Sequence, residues 1–260
     1  MGNLEEMINI NSDFKQIIKL WVPPVVLNAY RQLRKYGSAD TPKRQFDLPT
    51  VALDDLFPGI WPVMINMDGA VLIGADIMAL PMAELFTIAA ICQYSKPKTV
   101  FEFGTYAGLS TLVMAMNTEE KARVYTLDID PVDRESHEHG TGVGGFSPFE
   151  VGSYYKNTPY EYKIRQLFGN STIYDYSEYI ETNDLVFVDA DHSYRFAKID
   201  TDNALSLVRP GGVIVWDDYI WSVKYPECSG VSQYLHELQQ TLQIYHIAGT
   251  RLALHLNNAL

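Results

Sequence analysis

Residues 99–110 read TVFEFGTYAGLS, and the reading of this stretch decides the fold. The run 99–104 is short, apolar and rich in β-branched and aromatic side chains, the composition of a strand buried on both faces. Glycines follow at 104 and 108, where the backbone can turn tightly and approach a ligand without a Cβ in the way. A helix then opens over 109–116. The spacing is GxxxG, not the GxGxxG that seats a dinucleotide pyrophosphate. A plain tight turn is the alternative to a ligand loop.

The same rhythm repeats outward. A helix over 82–94 ends at Ser95-Lys96-Pro97, and strands are expected over 123–130 (RVYTLDID), 162–169 (YKIRQLFG) and 184–191 (DLVFVDAD). A helix over 194–208 follows, and Pro210-Gly211-Gly212 turns the chain into a fifth strand, 213–218 (VIVWDD). Short β-rich runs alternating with helices predict an α/β fold with a mostly parallel sheet covered on both faces. Beyond a helix over 230–240, the runs 242–247 and 251–256 flank Ala248-Gly249-Thr250. So short a turn predicts a hairpin, giving the sheet an antiparallel member at its edge.

The 260 residues are 47% hydrophobic and 20% charged, the composition of a globular protein. Lys and Arg total 20 against 32 Asp and Glu, a formal charge of −12 that repels phosphate backbones and argues against nucleic acid as a partner. The two cysteines, Cys92 and Cys228, have no metal-type spacing and read as reduced thiols of a cytoplasmic protein. The N-terminus lacks the pattern of a signal peptide, and no apolar run is long enough to span a membrane.

Residues 1–80 are expected to form a helical extension and a connection, ahead of a main domain over 81–260. Within the extension, Lys15, Lys19, Arg31, Arg34 and Lys35 flank the apolar segment 21–27, which Pro23 and Pro24 break. A cap on the main domain or on a second subunit is the leading reading, with a homo-oligomer expected; a membrane-surface anchor is the lesser one. Residues 132–161, with glycines at 140, 142, 144, 145 and 152, interrupt the rhythm as a lid-like insertion. His137-Glu138-His139 within it reads as a solvated turn, and Tyr154, Tyr155, Tyr160 and Tyr162 either pack or wall a substrate.

Three stations fall at the carboxyl ends of consecutive strands, where open α/β sheets bind ligands. They are the glycine loop, Asp128 about 20 residues on, suited to ribose hydroxyls, and Gly169-Asn170-Ser171, suited to border a purine. At the next two tips, Asp189, Asp191 and His192 face Asp217 and Asp218. Two carboxylates at about 4 Å repel by roughly 1 kcal/mol in water and more when buried. A divalent cation, protonation or solvent exposure would relieve that cost.

The ordered set EFGTYAG, TLDID, FGNS, FVDADHSY and RPGGVIVWDD resembles the class I S-adenosylmethionine (SAM)-dependent methyltransferases over about residues 80–258. The resemblance implies a Rossmann-like sheet of seven strands whose last is reversed, with SAM as cofactor. It places Glu102, Gly104, Thr105, Tyr106, Gly108 and Ser110 around the methionine part. Asp128 goes on the ribose, with Gly169, Asn170, Ser171 and Asp189 completing the cofactor site. The acidic rim resembles the metal-dependent O-methyltransferases, the sugar enzymes in particular. That likeness implies His192 as the base, Asp189, Asp217 and Asp218 as ligands of Mg²⁺, and a small-molecule hydroxyl, sugar- or polyol-like, as acceptor. A nicotinamide-dependent oxidoreductase and a non-catalytic scaffold are the alternatives from other classes.

Overall fold

The computed structural model describes residues 47–68, 80–130, 150–220 and 229–258. Strands β1 (Thr50–Val51), β2 (Thr99–Phe103), β3 (Arg123–Asp128), β4 (Ile164–Phe168), β5 (Asn183–Val188), β6 (Val208–Trp216), β7 (Tyr245–Ile247) and β8 (Ala253–Leu256) form one sheet. Their order is β1-β7-β8-β6-β5-β2-β3-β4. All neighbouring pairs are parallel except β6 with β8 and β7 with β8. The helices are α1 (Leu53–Leu56), α2 (Met82–Ser95), α3 (Leu109–Met116), α4 (Tyr194–Leu207) and α5 (Gly230–Leu238).

The period-two alternation of strand side chains explains the layers. In β5, Leu185 and Phe187 join the cluster that buries Leu85 and Ile88 of α2 and Val113 of α3. Val186 and Val188 join the opposite cluster, with Ala204 of α4 and Leu235 of α5. In β2, Phe101 and Phe103 belong to the α4–α5 side and Val100 to the α2–α3 side. Glu102 shares the parity of Val100, so a carboxylate is aimed at α3 from within the sheet.

The α/β class, the mostly parallel sheet and the antiparallel C-terminal strand match the expectation, and three details differ. The sheet has eight strands where seven were expected, because Thr50 and Val51 pair with His246 and Ile247 of β7. Two residues show no periodicity, so this strand is invisible to pattern. Leu48, Leu53, Phe57 and Ile60 of the same segment enter the core. Secondly, the antiparallel β8 lies inside the sheet, between β6 and β7, and not at its edge. Thirdly, β6 starts at Val208, ahead of the Pro-Gly-Gly turn. The pairing jumps from Asn183↔Val208 to Leu185↔Val213, a bulge that Gly211 permits with φ of +80°. The helical extension over the first 46 residues and the insertion through 149 lie outside the described residues, as do His137–His139 and Cys228. No helix among the described residues is long and apolar enough to cross a membrane.

Candidate active site

The glycine turn is folded by its own neighbours. Gly104 has φ of +88°, and a Cβ there would stand 2.1 Å from the backbone oxygen of Asp189. That closeness is what brings the tips of β2 and β5 together. Gly108, at the N-terminus of α3, has φ of +86°, and the ring of Tyr155 occupies the space its side chain would need. Asp128 ends β3 and holds the turn: its Oδ2 accepts the Thr105 and Tyr106 N–H groups at 3.1 and 2.7 Å, and its Oδ1 accepts that of Ile129 at 2.7 Å. Asp128 remains half-buried.

Glu102 is fully buried. Its Oε1 accepts the Ser110 hydroxyl at 2.5 Å, and its Oε2 accepts those of Thr126, at 2.6 Å, and Thr111. Burial pushes its pKa up to about 7 against these hydroxyl bonds, with the charge of Asp128 adding to the rise. Glu102 and Ser110 therefore brace the loop from behind, as does Thr105, whose hydroxyl pairs with that of Thr126 at 2.6 Å. At the third station, the Asn170 Oδ1 accepts the Thr172 N–H and hydroxyl, closing a local turn. The Ser171 carbonyl accepts from Tyr176 and Asn203.

The acidic rim is organised by a residue that motif reading did not find. Arg251 reaches from the turn before β8, donating from Nη2 to Asp217 Oδ2 at 2.6 Å and pairing through Nη1 with Asp218 Oδ1 at 3.1 Å. Its backbone N–H donates to Glu84 Oε1 of α2 at 2.9 Å. Register offers the missing signal. Trp216 pairs antiparallel with Ala253, so the residues just before 253 must lie beside those just after 216. Asp218 takes a left-handed backbone, φ 56°. Its Oδ2 sits 2.6 Å from His192 Nδ1, so Asp218 serves both His192 and Arg251, whereas Asp217 pairs with Arg251 alone among the described residues.

Asp189, His192 and Asp218 each offer a ligand atom, all within 4.8 Å of one another. Asp217 is not of that group, although the rim as a whole gathers at one place. The surroundings set the protonation of each. Loss of solvation raises Asp189 well above the usual carboxylate range, and the charges of Asp217 and Asp218 add to it. Burial pushes Asp217 up to about 7, with Asp218 adding. For Asp218, burial is outweighed by the His192 hydrogen bond and charge and by Arg251, and its pKa falls. For His192, burial is outweighed by the Asp218 bond and the charges of Asp218, Asp217 and Asp191, and its pKa rises. Four carboxylates, counting Glu84, thus meet one guanidinium and one imidazole among the described residues, a crowding of acids met in part by the raised pKa of Asp189, Asp217 and Glu84. The converging donors, hard oxygens of Asp189 and Asp218 beside the His192 ring, fit a small divalent cation.

The described part of the insertion packs on the fold. Gly152 and Tyr154 donate N–H bonds to the Tyr106 and Ala107 carbonyls of the glycine turn, and the Tyr155 hydroxyl donates to Gln166. Tyr160 accepts from Asn66, and Tyr162 is exposed.

Residues 101–219 match a family described as a methyltransferase domain. Solved structures of similar fold include the O-methyltransferase TomG of Streptomyces achromogenes, involved in tomaymycin synthesis and in complex with SAM. It is 18% identical, with a TM-score of 0.55, over 76% of this chain and 93% of that one. An O-methyltransferase from Bacillus cereus, in complex with SAH, is 15% identical, with a TM-score of 0.54, over 79% of this chain and 97% of that one. Cofactor-bound Rv0187 from MTB is 17% identical, with a TM-score of 0.53, over 74% and 90%. At these identities the likeness is one of fold.

Proposed function

We propose that this chain, whose residues 101–219 match a family described as a methyltransferase domain, methylates a hydroxyl of a small molecule, using SAM, with a divalent cation at the acceptor. The observation that supports this reading is positional. Glu102, Asp128, Asp189 and Asp218 stand at the carboxyl ends of four adjacent parallel strands, β2, β3, β5 and β6, which is where such sheets bind ligands.

The half-buried Asp128 and the glycine turn would hold the cofactor, which supplies an electrophilic methyl group. Glu102 acts at one remove, fixing the turn through Ser110, Thr111 and Thr126. Asp189 and Asp218 would hold a Mg²⁺ ion, which lowers the pKa of a coordinated hydroxyl. His192 is the base. Its Nδ1 is occupied by Asp218, so Nε2 is the nitrogen that takes the acceptor's proton, and the carboxylate both orients the ring and stabilises the imidazolium that forms. A vicinal diol, as in a sugar or polyol, offers the two oxygens that such a site can chelate.

Calorimetry with S-adenosylhomocysteine should show one site per chain, and NAD⁺ should give no heat. His192→Ala should keep that affinity within about threefold of wild type and lower methyl transfer to a panel of polyhydroxy acceptors at least about 100-fold. A parallel fall in cofactor affinity would remove His192 from the role of base.

A further inference from the structure

We propose that Arg251 is a fixed internal cation that withdraws Asp217 from the metal-ligand set, leaving Asp189 and Asp218 as the carboxylates that face an exchangeable ion. The inference rests on the metal-assisted reading above and concerns how this chain arranges its own charges around that site.

Three observations carry it. The side chain of Asp217 is 2% exposed, against 10% for Asp218 and 30% for His192, so Asp217 is shielded from an ion arriving from solvent. Arg251 binds one oxygen of each aspartate, but the second Asp218 oxygen lies at His192, whereas the second Asp217 oxygen, Oδ1, is buried with no hydrogen-bond partner among the described residues. The donor atoms that converge are those of Asp189, His192 and Asp218. Arg251 itself is anchored on both sides, by its backbone N–H to Glu84 and by its guanidinium to the two aspartates. A guanidinium keeps its charge at any working pH. Asp217 and Arg251 therefore form an internal pair, and a sequence that reads as two acidic ligands in succession supplies one.

Mn²⁺ titration of the full chain, followed by the electron paramagnetic resonance of the free ion, tests this without reference to turnover. Asp189→Asn and Asp218→Asn should each weaken Mn²⁺ binding at least about tenfold, because each removes a charged ligand. The double variant Arg251→Gln/Asp217→Asn removes both members of the internal pair and should stay within about threefold of wild type. Arg251→Gln alone, which frees both aspartates, should bind at least about fivefold more tightly. A double variant as weak as Asp218→Asn would make Asp217 a ligand and overturn the proposal, as would a single variant that gains nothing. Should wild type bind no Mn²⁺, the metal part of the proposed function fails and the inference falls with it, an outcome distinct from a wild type that binds the ion and a double variant that does not. If Arg251→Gln alone does not fold, the double variant decides.

Discussion

Glu102 sits in the sheet with three neutral hydroxyl donors and no exposed surface. Its folded pKa of about 7 lies above the reference of 4.5, so the folded state holds the proton more tightly than the unfolded chain. The corresponding stability is fully present below pH 4.5 and is lost as pH rises through about 7, a difference worth about 3 kcal/mol at most. Asp200 and Asp217, both pushed up to about 7 by burial, slope in the same sense. Urea denaturation at pH 5 and pH 8 should show the wild type less stable at the higher pH, and Glu102→Gln should remove part of that slope. An unchanged slope would mean that Glu102 is charged in the folded protein. EFGTYAG singles this carboxylate out, but its sealed setting was not legible there. Ser110, Thr111 and Thr126 converge on it only because strand parity turns Glu102 toward α3.

Close backbone contacts set the geometry between elements. A Cβ on Gly230, the first residue of α5, would lie 2.1 Å from the Tyr194 nitrogen and 2.5 Å from the His192 carbonyl oxygen. Backbone cannot yield as a flexible side chain can, so Gly230→Ala should displace the segment carrying His192. The expected result is a fall in kcat of at least about tenfold, from misplacement alone, with S-adenosylhomocysteine affinity little changed in calorimetry. Gly104→Ala is the counterpart on the other side. It combines a left-handed φ with a 2.1 Å approach to the Asp189 carbonyl, and should cost about 3 kcal/mol or more of stability in chemical denaturation. The central strands and helices α2 to α5 were readable because buried parallel strands leave apolar, β-rich runs, and because the helices leave either apolar runs bounded by Gly and Pro (α2, α3) or apolar spacing on one face (α4, α5). The two-residue β1, the bulge in β6 and the inner place of β8 were not. They depend on pairing across the sheet, which no local window contains.

For the molecule as a whole, ligand binding must appear as stability. S-Adenosylhomocysteine at 100 times its dissociation constant should add about 2.7 kcal/mol, seen as a raised Tm, while NAD⁺ at the same concentration should leave Tm unchanged. Chelation by EDTA should suppress methyl transfer and added Mg²⁺ should restore it; full activity in chelator would take the metal out of the reaction. The antiparallel course of β8 has a consequence of its own. Synthesis runs from the N-terminus, so Asp217 and Asp218 are made before Arg251, the guanidinium that pairs with both. Until the returning strand takes its place between β6 and β7, those two aspartates lack the cation that the finished sheet sets beside them.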